Sequence, residues 1–292
     1  MNIIVCIKQV PDAKDVRLDP KTNTMAREGV QSIMNPFDRH ALEEAVRLKE
    51  QHGGKVTVIS MGPPQAQEVL RDAVSCGADE AVLVSDRAFA GADTWATTYT
   101  LAKAIEKLGD FDLILCGKQA IDGDTAQVGP QTAEKLNIPQ ITYAEEIIDL
   151  KKEKITIKRK IDGGFEVLES RFPLLITVIK DAASPRPFKA RRAMAYKNAK
   201  TLTELEQMTE ANSLLYIDTL LDEYKAKKLY IPTLTMDDLQ IAEERCGVSG
   251  SPTKVHKIES VVLGGGEHEK IEPSKEGLNS LIEKLMSDHI FG

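Results

Sequence analysis

The chain has 292 residues, 42% hydrophobic and 28% charged, which suits a soluble globular protein with a sizeable core and one or two domains. Its net charge of −7 argues against nucleic acid as a partner, and no apolar run reaches membrane-spanning length. Four cysteines (6, 76, 116, 246) form no Cys-x-x-Cys pair and five histidines (40, 52, 256, 268, 289) are scattered, so neither zinc nor iron–sulfur ligation has support. The N-terminus enters a strand at once, without the basic region and cleavage site of a signal peptide. With thiols in apolar runs, this predicts a cytoplasmic protein.

Up to about residue 140, strands and helices alternate. Asn2–Val10 reads as a strand. Asn35 is placed to cap a helix, with Pro36 at its first position and Asp38 in its first turn. Lys55–Ser60 is a second strand, and Gly62-Pro63-Pro64 opens the helix that carries Val69, Leu70, Ala73 and Val74. Ala81–Ser85 is a third strand, Asp93 caps a helix through Lys107, and Asp112–Cys116 is a fourth strand. This rhythm predicts an α/β fold with a doubly wound, mostly parallel sheet. Tyr143–Leu150, Lys154–Ile161 and Phe165–Phe172 then read as antiparallel strands, the last two joined by Asp162-Gly163-Gly164. The charge run Lys151 to Lys160 is the solvated face of such a strand, and Leu174–Ile179 closes the sheet. Beyond residue 181 the rhythm fades. Ser184 to Lys200 holds six basic residues and no acidic one. Residues 201–292 show short helical pieces, glycine patches at Gly247–Gly250 and Gly264–Gly266, and an amphipathic helix from Glu276 to Met286. We expect domains at 1–200 and 201–292, the second an arm too poor in apolar residues to fold alone, lying across another subunit.

The stretch richest in chemistry is Gly117-Lys118-Gln119-Ala120-Ile121-Asp122-Gly123-Asp124-Thr125-Ala126-Gln127-Val128. It leaves a buried strand and enters a helix, where open α/β sheets bind nucleotides. Asp122 and Asp124 are either a carboxylate pair for acid–base work or caps and ribose acceptors. Met34-Asn35-Pro36-Phe37 either caps its helix or turns its amides to a ligand. Met61 is core filler or a cofactor contact. The basic segment is a solvated surface or a docking site for an acidic partner. No Gly-x-Ser-x-Gly elbow, His-Glu-x-x-His pair, Walker loop or Gly-x-Gly-x-x-Gly occurs, so hydrolases, P-loop enzymes and ordinary dinucleotide folds are disfavoured.

At these residues the chain resembles the beta subunit of electron transfer flavoproteins. The marks are Val5-Cys6-Ile7-Lys8; Met34-Asn35-Pro36-Phe37 followed by Glu43 to Lys49; Gly117 to Asp122; and the hairpin Ile161 to Glu166 leading to Pro173. The likeness covers most of residues 1–200. It implies an adenine nucleotide alpha hydrolase-like fold with an added antiparallel hairpin and an extended C-terminal arm that packs on an alpha subunit. It also implies a heterodimer with that subunit.

The family's nucleotide pocket maps onto Cys6, onto Asn35, Pro36, Phe37 and Asp38, onto Met61, and onto Gly117 to Val128. Its partner-recognition loop maps onto residues 184–200, with Arg186, Lys189, Ala190, Arg191 and Arg192 as the partner-binding set. Ala190 stands where many relatives carry a leucine anchor.

One branch of the family holds AMP in this pocket. The electron-bifurcating branch holds a second FAD, reduced by NADH. It passes electrons to ferredoxin or flavodoxin and, through the alpha-subunit FAD, to an acyl-CoA dehydrogenase or enoyl-CoA reductase. Small residues at Gly123, Ala126 and Val128 resemble the bifurcating pattern, so FAD is favoured over AMP. Lys8 is a further candidate, a cation beside a reduced flavin. Two alternatives stay open: a non-bifurcating carrier with structural AMP, and a non-redox nucleotide-binding regulatory module.

Overall fold

The computed structural model describes residues 1–12, 17–18, 25–26, 32–212, 215–254 and 270–287. The glycine patch at 264–266 and His256, His268 and His289 lie outside them. The strands, in chain order, are β1 (Asn2–Cys6), β2 (Gln9–Pro11), β3 (Arg17–Leu18), β4 (Met25–Ala26), β5 (Ser32–Met34), β6 (Lys55–Met61), β7 (Glu80–Val84), β8 (Leu113–Gly117), β9 (Gln140–Leu150), β10 (Lys154–Ile161), β11 (Gly164–Arg171), β12 (Leu174–Val178) and β13 (Thr233–Leu234). The helices are α1 (Pro36–His52), α2 (Gln67–Cys76), α3 (Thr94–Leu108), α4 (Val128–Leu136), α5 (Ala190–Tyr196), α6 (Leu202–Ala211), α7 (Ile217–Ala226) and α8 (Lys275–Ser287).

Nine strands form one sheet in the order β11-β10-β9-β12-β8-β1-β6-β7-β13, parallel from β9 to β13 and antiparallel over β9-β10-β11. Alternation along β1 assigns its two faces. Ile3, Val5 and Ile7 pack with Leu42 and Val46 of α1 and Leu70 of α2, while Ile4 packs with Leu101 and Ile105 of α3 and Ala133 of α4. Helices therefore cover both faces, the arrangement of a doubly wound sheet. Strand order reverses between β1 and β8. The chain leaves β1 towards β6 and β7, then returns to β8 on the other side. The crevice beyond the carboxyl ends of β1 and β8 is thus the topological switch point, and there Cys6 and Cys116 are register partners.

Several elements differ from the sequence reading. The expected strand Asn2–Val10 is two. The Lys8 N–H leaves the ladder for Asp38, and Gln9–Pro11 turns away to pair with β5. The strand expected at Tyr143 starts at Gln140, because Gln140 and Ile141 pair parallel with β12 before the chain pairs antiparallel with β10. The turn Asp162-Gly163 forms as expected, with Gly163 at φ +78° and Gly164 opposite Ile161. Three lysines of the charge run find carboxylate partners: Lys151–Asp149, Lys154–Glu169 and Lys158–Glu145.

The compact unit runs to Lys254 rather than ending near residue 200. Residues 201–254 fold on their own body. Leu205, Leu220, Ile231, Leu239 and Ile241 are buried, and Thr233–Leu234 adds the ninth strand. Spread singly over short pieces, these side chains give no periodicity to read. The second unit, Val255–Gly292, holds α8 over residues 275–287, where the amphipathic helix was expected. Among the described residues, no helix is long and apolar enough to cross a membrane.

Candidate nucleotide site at the switch point

The first turn of α1 builds the floor of the crevice. Pro36 opens that helix, but the Asn35 side chain makes no cap bond. Its Nδ2 donates to the Gln119 carbonyl (2.9 Å) and its Oδ1 accepts from the Ile121 N–H (3.2 Å), so it is spent on the loop after β8. The side-chain cap expected of Asn35 is absent because the loop offers both a donor and an acceptor to one buried amide. Three residues on, the Asp38 carboxylate accepts from the Lys8 N–H (2.8 Å) and the Gly117 N–H (3.0 Å). One helical turn thereby ties the ends of both switch-point strands to the loop that follows.

Gly117 is required by this closeness. A Cβ there would lie 2.5 Å from Asp38 Oδ1, 2.5 Å from Phe37 Cβ and 2.7 Å from the Phe37 carbonyl carbon. Gly129 has a parallel role, since its Cβ would meet Thr177 at 2.6 Å and Cys116 Sγ at 2.9 Å. Burial pushes the Asp38 carboxyl up to about 7, against its hydrogen bonds and the Lys8 charge, which favour ionisation. Burial, and then Asp38, push the Cys6 thiol up to about 12. Burial raises Cys116 as well. Neither thiol is a nucleophile at neutral pH.

The loop changes character at Asp122. Residues 122 to 125 are exposed, and a Cβ at Gly123 would meet nothing within 4 Å. Asp124 and Ala126 both adopt left-handed φ, +54° and +53°. The Asp124 N–H turns back to donate to the Ala120 carbonyl at 2.9 Å; left-handed turns of this kind recur in anion-binding hollows. Gln119 holds Asp124, Lys8 Nζ grips Asp122 at 2.6 and 2.8 Å, and Thr94 Oγ1 donates to Gln127 Oε1 at 3.0 Å. No side chain caps α4, which starts at Val128. Cys6 and Met61 end β1 and β6 on the same edge of the sheet. Lys118 extends between the rings of Phe37 and Tyr143. Thus Cys6, the first turn of α1, Met61 and the 117–128 loop converge on one edge. Tyr143 and Thr94 also belong to the rim, and nothing local in the sequence marks either.

The basic segment is elsewhere, beside α1 and α2, and is not without counter-charge. Arg186 pairs with Glu43 (2.8 Å) and Glu50 (2.7 Å) of α1, and its hydrogen bond draws the Glu50 carboxyl down to about 2. Arg192 donates to the Val74 and Ala78 carbonyls at and beyond the last turn of α2, at 2.9 and 2.5 Å. Lys189 lies 3.6 Å from Glu50. Ala190 and Arg191 are exposed, with Phe188 and Met194 beside them also open to solvent. The carboxylates that answer Arg186 and Lys189 come from α1, far away in sequence.

The family profile described as the electron transfer flavoprotein domain matches residues 22–206. The chain is 45% identical over 290 residues to the electron transfer flavoprotein subunit beta of Thermoanaerobacterium thermosaccharolyticum, covering 99% of this chain and 100% of that one. It is 42% identical over 292 residues to the caffeyl-CoA reductase-Etf complex subunit CarD of Acetobacterium woodii, covering 99% and 100%. It is 42% identical over 265 residues to protein FixA of Azorhizobium caulinodans, covering 88% and 84%. With a switch-point site on a doubly wound sheet and relatives aligned nearly end to end, the chain belongs to the electron transfer flavoprotein family, as a beta subunit.

Proposed function

We propose that this chain pairs with an alpha subunit and holds FAD at the crevice between β1 and β8, accepting electrons from NADH. One electron passes to a ferredoxin or flavodoxin. The other passes, through the alpha-subunit FAD, to an acyl-CoA dehydrogenase or enoyl-CoA reductase. The observation that carries the reading is the open tip of the 117–128 loop. Gly123 faces empty space, Asp124 and Ala126 adopt left-handed φ, and α4 begins without a side-chain cap. Such a hollow suits the diphosphate of a dinucleotide. The residues fit an adenine nucleotide: the loop for phosphates and ribose, Cys6 and Met61 for the adenine, and the first turn of α1 as support. Bound FAD supplies hydride acceptance and one-electron release; the chain supplies position and electrostatics. The relative named for a caffeyl-CoA reductase complex supports a CoA-ester reductase as partner. Arg191 is the better steering residue, since Arg186 and Arg192 have contacts inside the chain. Beyond Lys254, the C-terminal arm with α8 packs on the alpha subunit.

Cofactor extraction from the purified heterodimer tests this. Two FAD per dimer is the expected result. One FAD with one AMP overturns bifurcation and leaves a simple carrier.

A further inference from the structure

Tyr143 is the one aromatic residue among the described residues with a left-handed backbone, at φ +58°. A bulky side chain rarely adopts this conformation, and it persists where the surroundings impose it. Here they do. Pairing is irregular on both sides, between Ile176 and Val178 of β12 and between Lys158 and Arg159 of β10. The Tyr143 N–H donates to the buried Thr177 hydroxyl at 3.0 Å. Such a bulge re-aims a side chain. It brings the ring centroid to 5.4 Å from Lys118 Nζ, and the Phe37 ring lies at the same distance.

Lys118 is fixed at its other end as well. Its N–H donates to the Val178 carbonyl, and its neighbours Gly117 and Gln119 are pinned by Asp38 and Asn35. Yet it forms no ion pair among the described residues. The two carboxylates of its own loop are engaged elsewhere, Asp122 by Lys8 and Asp124 by Gln119. A long cationic side chain is thus immobilised at the head of the loop with its charge unspent.

We propose that Tyr143 is a positioning residue of the nucleotide site, its re-aimed ring holding the Lys118 ammonium for a phosphate of the bound nucleotide. The inference rests on the nucleotide reading above and adds a residue outside the loop. A nucleotide phosphate is favoured over a partner's carboxylate because the cation begins the loop whose tip is open.

Calorimetric titration of the full chain with ADP, at low and moderate salt, tests it. Lys118→Gln is expected to weaken binding about tenfold and flatten its salt dependence. Tyr143→Leu should weaken binding about threefold, Tyr143→Phe should match the parent, and Tyr143→Leu in the Lys118→Gln background should add nothing. If Tyr143→Leu does not fold, Tyr143→Gly suits the left-handed φ, removes the ring and reads the same quantity. Unchanged ADP affinity without the ring, or an equal loss in both backgrounds, overturns the positioning role. Loss of subunit pairing with ADP affinity intact also overturns it and assigns the cage to a protein carboxylate. No ADP binding by the parent chain overturns the nucleotide reading itself.

Discussion

Two glycines of one loop should respond oppositely to the same added methyl. A Cβ at Gly117 would lie 2.5 Å from both Asp38 Oδ1 and Phe37 Cβ and 2.7 Å from Phe37 backbone. The first turn of α1 cannot retreat without losing the Lys8 and Gly117 bonds of Asp38 and the Gln119 and Ile121 bonds of Asn35. Overpacking of this kind costs about 1–3 kcal/mol, and a broken bond to a buried carboxylate a similar amount, so Gly117→Ala should lose about 2–5 kcal/mol. For a folded body of this size that is roughly 4–10 °C in melting temperature. At Gly123 nothing lies within 4 Å and φ is not left-handed. Gly123→Ala should therefore melt within about 1 kcal/mol of the parent, on the stabilising side, because it restricts the unfolded chain. Denaturant melts of the two variants beside the parent measure both. Near-parental stability in Gly117→Ala would refute the clamp; marked destabilisation in Gly123→Ala would refute the open tip.

Four further outcomes follow. Val128→Arg should fill the phosphate region and abolish ADP binding with the sheet still folded; unchanged nucleotide content rejects the pocket. The Asp38 carboxyl is raised in the fold to about 7 from its ordinary 3.8, so the folded form holds this proton more tightly than the unfolded chain does. Its contribution is full below about pH 4 and lost as pH rises through 7, up to about 4 kcal/mol; Asp38→Asn should flatten the stability profile there, and parallel profiles would count against the shift. Arg186→Ala leaves the buried Glu43 carboxylate without its partner and should lose about 2–4 kcal/mol in denaturant melts; a parental midpoint would show the pair to be idle. Arg191→Glu, at an exposed position, should hold stability within about 0.5 kcal/mol while slowing salt-dependent electron delivery to an acyl-CoA dehydrogenase; a rate unchanged at low salt removes Arg191 from docking.

What the sequence makes legible is what local physics decides. Apolar runs bounded by glycine and proline mark the parallel strands, Asp93 caps α3 through the Ala96 N–H as its position suggests, and the small residues after β8 mark a loop with an open tip. Illegible are choices settled across long separations. Asn-Pro reads as a helix start, and it is one, yet the Asn35 side chain goes to groups 84 and 86 residues away. A basic run without acids reads as unpaired, yet the carboxylates that answer Arg186 lie 143 and 136 residues earlier. A tyrosine in a strand reads as ordinary, because left-handed φ at an aromatic residue leaves no trace in composition. β13 has only two residues, too few for any period to register.

The site's design follows from where its bonds are buried. Up to Ile121 the loop hangs from Asn35 and Asp38, both buried, where a hydrogen bond left unmade is expensive and the geometry is correspondingly fixed. From Asp122 onward it is held by the Lys8–Asp122 pair, 47% and 33% exposed, and by exposed amide and hydroxyl contacts, each worth at most about 1 kcal/mol. A stem that cannot move carries a tip that yields cheaply. Lys8 and Gln119 hold the carboxylates of that tip. The same contacts keep Lys118 free of an ion pair within its own loop. On the nucleotide reading proposed above, an anion at the tip displaces only weak surface contacts, while the strand ends stay locked to α1.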